Sequence, residues 1–297
     1  MTQPLFSGAR ASLQDEAEEL SSTLPPLMVE AERLASAVSI GIHGRRKAGM
    51  GESFWQFRRF RAEDPSTAID WRQSAKSQHL FVREREWEVA QSVWFWRDGS
   101  PGMRFKSGTV TKLDRANLLA LALASALVRG GERVAVLGQP HAPASSRAAL
   151  RRMGYALSDT PSNDTLPPNL PLSRNAQFVW FSDFLSPLTA VEAALRRMTQ
   201  SGSNGYLVHI IDPAEEDFPY EGRTRFEAPG QDMMETLGRA ETVAGAYRTR
   251  FKAHAETVAL LAGKLSWNYL AHRTDRSAQI ALVALYAEMS GPRRTRA

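Results

Sequence analysis

The sequence predicts an α/β protein built on a doubly wound, mostly parallel sheet with helices on both faces, and three observations carry that reading. First, Val93-Trp94-Phe95-Trp96-Arg97 is β-branched and aromatic, and it runs straight into Asp98-Gly99-Ser100-Pro101-Gly102, a strand ending in a tight loop. Second, Leu113 to Arg129 is an Ala- and Leu-rich helix with Asp114 and Arg115 in its first turn and Gly130-Gly131 at its end, after which Arg133 to Leu137 resumes a strand. Strand, loop, helix, strand is a βαβ unit, and such units build parallel sheets. Third, two more apolar strands, Phe178 to Phe181 and Tyr206 to Ile211, recur at βαβ spacing with a helical pattern, Val191 to Thr199, between them.

Bulk composition narrows the function classes. At 297 residues and 43% hydrophobic side chains the chain can bury a large core. Its 37 Lys and Arg against 32 Asp and Glu leave a net charge of +5, a modest excess spread over a large surface, which does not imply nucleic acid. The absence of Cys excludes disulfides, thiol nucleophiles and thiolate metal sites, and fits a reducing cytoplasm. The longest apolar run, Leu118 to Val128, is far short of the roughly 20 residues that span a bilayer. Met1 to Leu20 carries Asp15, Glu16, Glu18 and Glu19 where a signal peptide needs an apolar core. A soluble cytoplasmic protein is expected.

In chain order, a polar arm leads into a short acidic helix ending near Leu20. After Pro25-Pro26, the residues Leu27, Ala31, Leu34 and Val38 recur at helical spacing and present one apolar face for packing. Gly41 to Gly51 holds four Gly with Arg45, Arg46 and Lys47. The Gly44 to Gly49 separation is that of a phosphate-binding loop, but Met50-Gly51 replaces the Lys-Ser or Lys-Thr and no strand precedes it, so a basic turn is the better account. Ile69-Asp70-Trp71-Arg72 has two competing uses: a salt bridge beside a buried Trp, or an exposed partner anchor, since Trp and Arg are favoured hot-spot residues. Beyond the βαβ unit, Ser145 to Met153 reads as a short helix and Ser158 to Pro171 as a long Pro-rich loop. Val191 to Thr199 turns Ala193, Ala194, Leu195 and Met198 inward. Gly222 to Phe226 reads as an edge strand, Gly245 to Leu265 and Ser277 to Met289 as helices, and the tail from Pro292 as disordered. Two domains are predicted: an extension over 1–88 and the sheet domain over 89–297.

The segment from Gly49 to Glu84 also carries a signature. Gly49-Met50-Gly51 precedes Phe54-Trp55-Gln56-Phe57-Arg58-Arg59-Phe60. Then come Glu63-Asp64-Pro65, Ile69-Asp70-Trp71, Ser74-Ala75-Lys76 and Val82-Arg83-Glu84. This resembles the pattern of a bacterial family known as domain of unknown function fifty-eight, with Phe60 in place of a Tyr, Glu63 in place of a Gly and Lys76 in place of an Arg. The resemblance continues through Asp98, Ser182-Asp183-Phe184-Leu185, Val208 to Glu215, and Tyr247, Phe251 and His254, over about residues 40 to 265. It implies a partner of the MoxR-type AAA+ ATPase class and an adaptor role in assembling or remodelling a client protein.

Three strand candidates end in Asp: Asp98, Asp183 and Asp212. In a doubly wound sheet the loops after neighbouring strands converge on one edge. Like charges gathered there repel, so a cation, hydrogen bonds or basic neighbours must hold them. The order of elements, with Asp98-x-Ser100 after one strand and Asp183 after another, looks like a von Willebrand factor A domain. That likeness implies a metal-ion-dependent adhesion site with Mg²⁺ on Asp98, Ser100 and Asp183, since Mg²⁺ prefers oxygen ligands. The set is degenerate: Gly102 stands where a second Ser belongs, and Thr160 and Thr165 are the only nearby candidates for the Thr. Asp98 also suits a plain role as a cap for its own loop.

Enzyme signatures are absent. The six His, at 43, 79, 141, 209, 254 and 272, show no metal-ligand spacing, and no G-x-S-x-G elbow occurs. His209, within an apolar strand, reads as a core residue. The expected function is a non-enzymatic protein interaction module, docking through the edge near Asp98, Ser100 and Asp183 or through Asp70, Trp71 and Arg72. Two alternatives are a Mg²⁺-dependent hydrolase using the three Asp residues and nucleic-acid binding through Arg45 to Arg61.

Overall fold

The computed structural model describes residues 26–38, 54–61, 64, 66–85, 90–158, 163–172, 176–227, 229–230 and 234–289. The acidic helix near Leu20, the Gly41 to Gly51 turn, Thr160 and the tail from Pro292 lie outside them. The chain divides into two compact units, His43–Ala90 and a main unit formed by Met1–Ile42 with Gln91–Ala297. Helix α1 (residues 26–38) thus belongs with the main unit, where Ala31 and Val38 join its core as their spacing requires.

In the smaller unit, strands β1 (Phe54–Arg59) and β2 (Phe81–Arg85) pair antiparallel, with the single-turn helix α2 (Trp71–Ser74) between them in sequence. Asp70 caps that helix by accepting from the Gln73 amide at 2.9 Å, and its own amide donates to the Phe81 carbonyl at 2.8 Å. Buried Ser74 accepts from the Phe81 amide at 2.9 Å, so the turn is pinned to β2 by backbone and side chain together.

The main unit is the doubly wound α/β arrangement. Strands β3 (Ser92–Arg97), β4 (Arg133–Val136), β5 (Gln177–Ser182), β6 (Asn204–Ile211) and β9 (Asn268–Arg273) form one sheet in the order β4-β3-β5-β6-β9, with every neighbouring pair parallel. Alternation along the strands feeds two cores. Val93, Phe95, Val179, Phe181, Val208 and Ile210 face one side, under α3 (Lys112–Arg129), α4 (Arg147–Ser158) and α8 (Ala278–Met289). Trp96, Phe178, Trp180 and Leu207 face the other, against Val191, Ala194, Leu195 and Met198 of α5 (Leu188–Gln200) and Val258 and Ala262 of α7 (Ala244–Lys264). Helix α3 is buried along most of its length because Ala and Leu fill nearly every position from 116 to 127.

Several boundaries differ from expectation for local reasons. Helix α4 extends to Ser158, through Tyr155 and Leu157, and Leu157 is buried at 2%. Ala193, expected inside α5, is exposed, and Val191 takes its place. The strand expected near Gly222 to Phe226 is not an edge of the main sheet. It is β7 (Thr224–Glu227), paired antiparallel with β8 (Met234–Leu237) in a separate hairpin. Among the described residues no helix is long and apolar enough to cross a membrane.

Candidate functional site

Because β3, β5 and β6 are consecutive neighbours in the sheet, their carboxyl ends bring Asp98, Asp183 and Asp212 to one edge, as topology demands of strand-terminal residues. Each carboxylate is then held locally. The Asp98 amide donates to the Phe181 carbonyl of β5 at 2.8 Å, which fixes its direction. Its Oδ1 accepts from the Ser100 amide at 2.8 Å and its Oδ2 from the Ser182 hydroxyl at 2.7 Å. Asp183 accepts from the Leu185 amide at 3.1 Å through Oδ1. Between them Phe184 turns the chain with a left-handed φ of 51°, its amide donating to Ser182 Oγ at 2.9 Å and its ring buried against Trp180 and His209.

Asp212 caps the short helix α6 (Pro213–Asp217) in a capping box. Its Oδ1 accepts from the Ala214 amide at 2.9 Å, while Glu215 Oε2 accepts from the Asp212 amide at 3.0 Å. Ser107, from the loop after β3, donates to Asp212 through both its amide, at 2.9 Å, and its hydroxyl. The remaining oxygens meet a cation: Lys112 Nζ lies 3.0 Å from Asp183 Oδ2 and also pairs with Glu215 Oε1. Lys112 is wholly buried, and Asp98, Asp183 and Asp212 are 1%, 5% and 0% exposed. The cluster is therefore a sealed frame beneath the edge, and the three acids do not themselves form the docking surface expected of them. What the edge offers to solvent is Leu185, 55% exposed, with exposed Arg104 and Lys106 on the loop after β3.

The electrostatics follow from burial and from one cation shared among several acids. Burial and the charge of Asp183 push the Asp98 carboxyl up to about 6, against the pull of the Ser100 and Ser182 hydrogen bonds. Burial disfavours charge on Lys112, but Asp183 and Glu215 outweigh it and hold the ammonium above its ordinary value. Burial raises Glu215, with Lys112 opposing. His209, beside Phe184, pairs its Nδ1 with the Tyr269 hydroxyl at 2.7 Å, and burial lowers it to about 4, so it is a neutral core residue as expected.

The likeness to a von Willebrand factor A domain implies Mg²⁺ on Asp98, Ser100 and Asp183, and the structure brings all three together. Yet the oxygens such an ion needs are engaged: both of Asp98 by Ser100 and Ser182, and those of Asp183 by Leu185 and Lys112. Thr165 is exposed, and among the described residues no three His, Asp or Glu side chains are grouped to hold a metal. The donor set does not fit a divalent cation. Sequence reasoning missed Lys112 and Ser107, and it gave no site role to Ser182 and Glu215, which it met only within the family resemblance. One signal was available for Lys112: it is the first residue of α3, where the helix macrodipole disfavours a cation.

The second candidate, Asp70-Trp71-Arg72, is a capped turn. Trp71 is 66% exposed, which corrects the alternative of a Trp buried beside a salt bridge, and Arg72 is exposed as well. A large aromatic held on a rigid turn in solvent is what a partner anchor requires.

No curated protein matches this chain. Among solved structures it is similar to the conserved hypothetical protein BatB from Bacteroides thetaiotaomicron, at 13% identity and a TM-score of 0.41, covering 68% of this chain and 99% of that one. It is also similar to an aerotolerance-related membrane protein from Bacteroides fragilis NCTC 9343 bearing multiple mutations to serines, at 16% identity and a TM-score of 0.39, covering 67% and 100%. The model of the family of proteins of unknown function DUF58 matches residues 56–258, and the chain belongs to that family.

Proposed function

We propose that this chain is a non-enzymatic docking module of the cytoplasm, with a von Willebrand A-like main unit and a degenerate adhesion site, that serves a MoxR-type AAA+ ATPase as an adaptor toward a client protein. The observation that carries the reading is the saturation of the sheet edge: Asp98, Asp183 and Asp212 are buried and each already accepts from donors of the same chain. Groups so engaged build a rigid frame, and a frame is what a docking loop needs in order to bind without an ordering cost. Exposed Trp71 supplies a hot-spot side chain, and Leu185 an apolar contact at the edge. The ATPase partner comes from the family resemblance.

Size-exclusion chromatography of the full chain with a MoxR-type ATPase from a neighbouring gene, in the presence of ATP, tests the proposal. Co-elution of the wild type is expected. Trp71→Ala is expected to abolish it while leaving the melting temperature unchanged, because the side chain is mostly in solvent. A wild type that never co-elutes would sink the proposal.

A further inference from the structure

We infer that Lys112 is the resident cation of the sheet edge: its ammonium stands in for a divalent metal and keeps one from binding. Two features converge on one carboxylate oxygen, and a third on the ammonium beside it. Lys112 Nζ lies 3.0 Å from Asp183 Oδ2 and is wholly enclosed. Glu215, from helix α6 after the next strand, closes on the same ammonium. And Gly102, at the position of the missing second Ser, lies against the same oxygen: a Cβ there would stand 3.1 Å from Asp183 Oδ2 and 3.8 Å from Ser100 Oγ.

Physical chemistry makes the substitution a consistent one. A cluster of buried acids needs a counter-charge, and a lysine brings one on a tether, with nothing to recruit from solution. The tether is costly, since an ammonium at a helix start opposes the macrodipole and pays for its own desolvation, so its place here calls for a partner, and Asp183 and Glu215 are that partner. With Nζ in position, a Mg²⁺ ion would have to displace a bound cation from Asp183 and would find no Ser at Gly102 to replace the lost ligand. Of the two aspartates of the adhesion-site pattern, Asp183 thus serves an internal ion pair and Asp98 holds its own loop.

This inference rests on reading the edge as a docking face only in adding that docking there needs no metal. Mn²⁺, whose free ion is counted by electron paramagnetic resonance, is titrated into the full wild-type chain and into the Lys112→Ala, Gly102→Ser double variant, with Mg²⁺ as competitor. The wild type is expected to bind none, and its melting temperature to be the same in Mg²⁺ and in EDTA. The double variant is expected to bind one ion per chain, to release it to Mg²⁺, and to melt higher in Mg²⁺ than in EDTA. A wild type that binds one ion, lost on Asp98→Ala, overturns the inference, as does a folded double variant that binds none. Should the double variant fail to fold even in Mg²⁺, the wild-type titration decides alone. Failure of the ATPase to co-elute would leave these outcomes untouched, so the two ideas fall separately.

Discussion

Asp98 shows how a strand-terminal acid becomes structural. It is 1% exposed, and its two oxygens take the Ser100 amide and the Ser182 hydroxyl, so removing the carboxylate orphans two buried donors. Each orphan costs about 1–3 kcal/mol, offset in part by relief of repulsion from Asp183, so Asp98→Ala is expected to lose about 2 kcal/mol in urea unfolding at neutral pH. Asp98→Asn keeps an oxygen for the Ser100 amide, and the Ser182 hydroxyl can turn to accept, so its loss is expected to be under about 1 kcal/mol. An Asn variant as unstable as the Ala variant would mean that the charge, and not the hydrogen bonding, holds the loop. The carboxylates were legible in the sequence because strand-ending Asp is a local pattern. Lys112 and Glu215 were not, because their meeting depends on the start of α3 lying against α6, a relation of tertiary packing that no spacing encodes.

At the scale of elements, apolar character decided what could be read. Strands β3, β5 and β6 are buried on both faces and spell near-continuous Val, Trp, Phe and Ile, so they were recognised with small boundary errors. Strand β9 was missed altogether: Asn268-Tyr269-Leu270-Ala271-His272-Arg273 closes the sheet with side chains that are mostly only half-covered, and its polar ends resemble a loop. Gly205 gives the β5–β6 pairing its own test. A Cβ there would stand 1.8 Å from the Phe178 carbonyl oxygen and 2.7 Å from its carbon, both backbone atoms of the neighbouring strand that cannot swing aside. Gly205→Ala is therefore expected to cost more than about 3 kcal/mol or to prevent folding. Gly263, on exposed turns of α7 with open space about it, is the control: Gly263→Ala is expected to gain about 0.5–1 kcal/mol. Chemical denaturation of both variants, with equal effects as the contrary result, separates close strand packing from a general intolerance of Ala.

For the molecule as a whole, the balance of buried titratable groups sets how stability responds to acid. Burial lowers His209 and His272 to about 4 from 6.5, and the buried Nε2 of His272 has no hydrogen-bond partner among the described residues. An unfolded chain protonates both rings below pH 6.5 while the folded chain does not, so their contribution is present above 6.5 and is lost as pH falls toward 4. Asp98 has the opposite sign. Raised to about 6 from 3.8, it takes up its proton more readily when folded and returns stability as pH falls through 6. Between pH 7.5 and 5 each ring loses roughly 2 kcal/mol and Asp98 restores roughly 1, so these three groups give a net loss of about 3 kcal/mol, which Glu215, also raised by burial, reduces. His272 lies on β9, on the opposite side of β6 from β5 and its terminal Asp183, and burial sets its value, aided by Arg115 and Arg276 and opposed by Asp275. His272→Leu should thus remove its share alone, flattening the urea-unfolding profile by roughly 2 kcal/mol over that range whatever it does to stability at pH 7.5. A variant profile parallel to the wild type would show that the folded chain protonates His272 as readily as the unfolded one, and the acid sensitivity would then belong to His209.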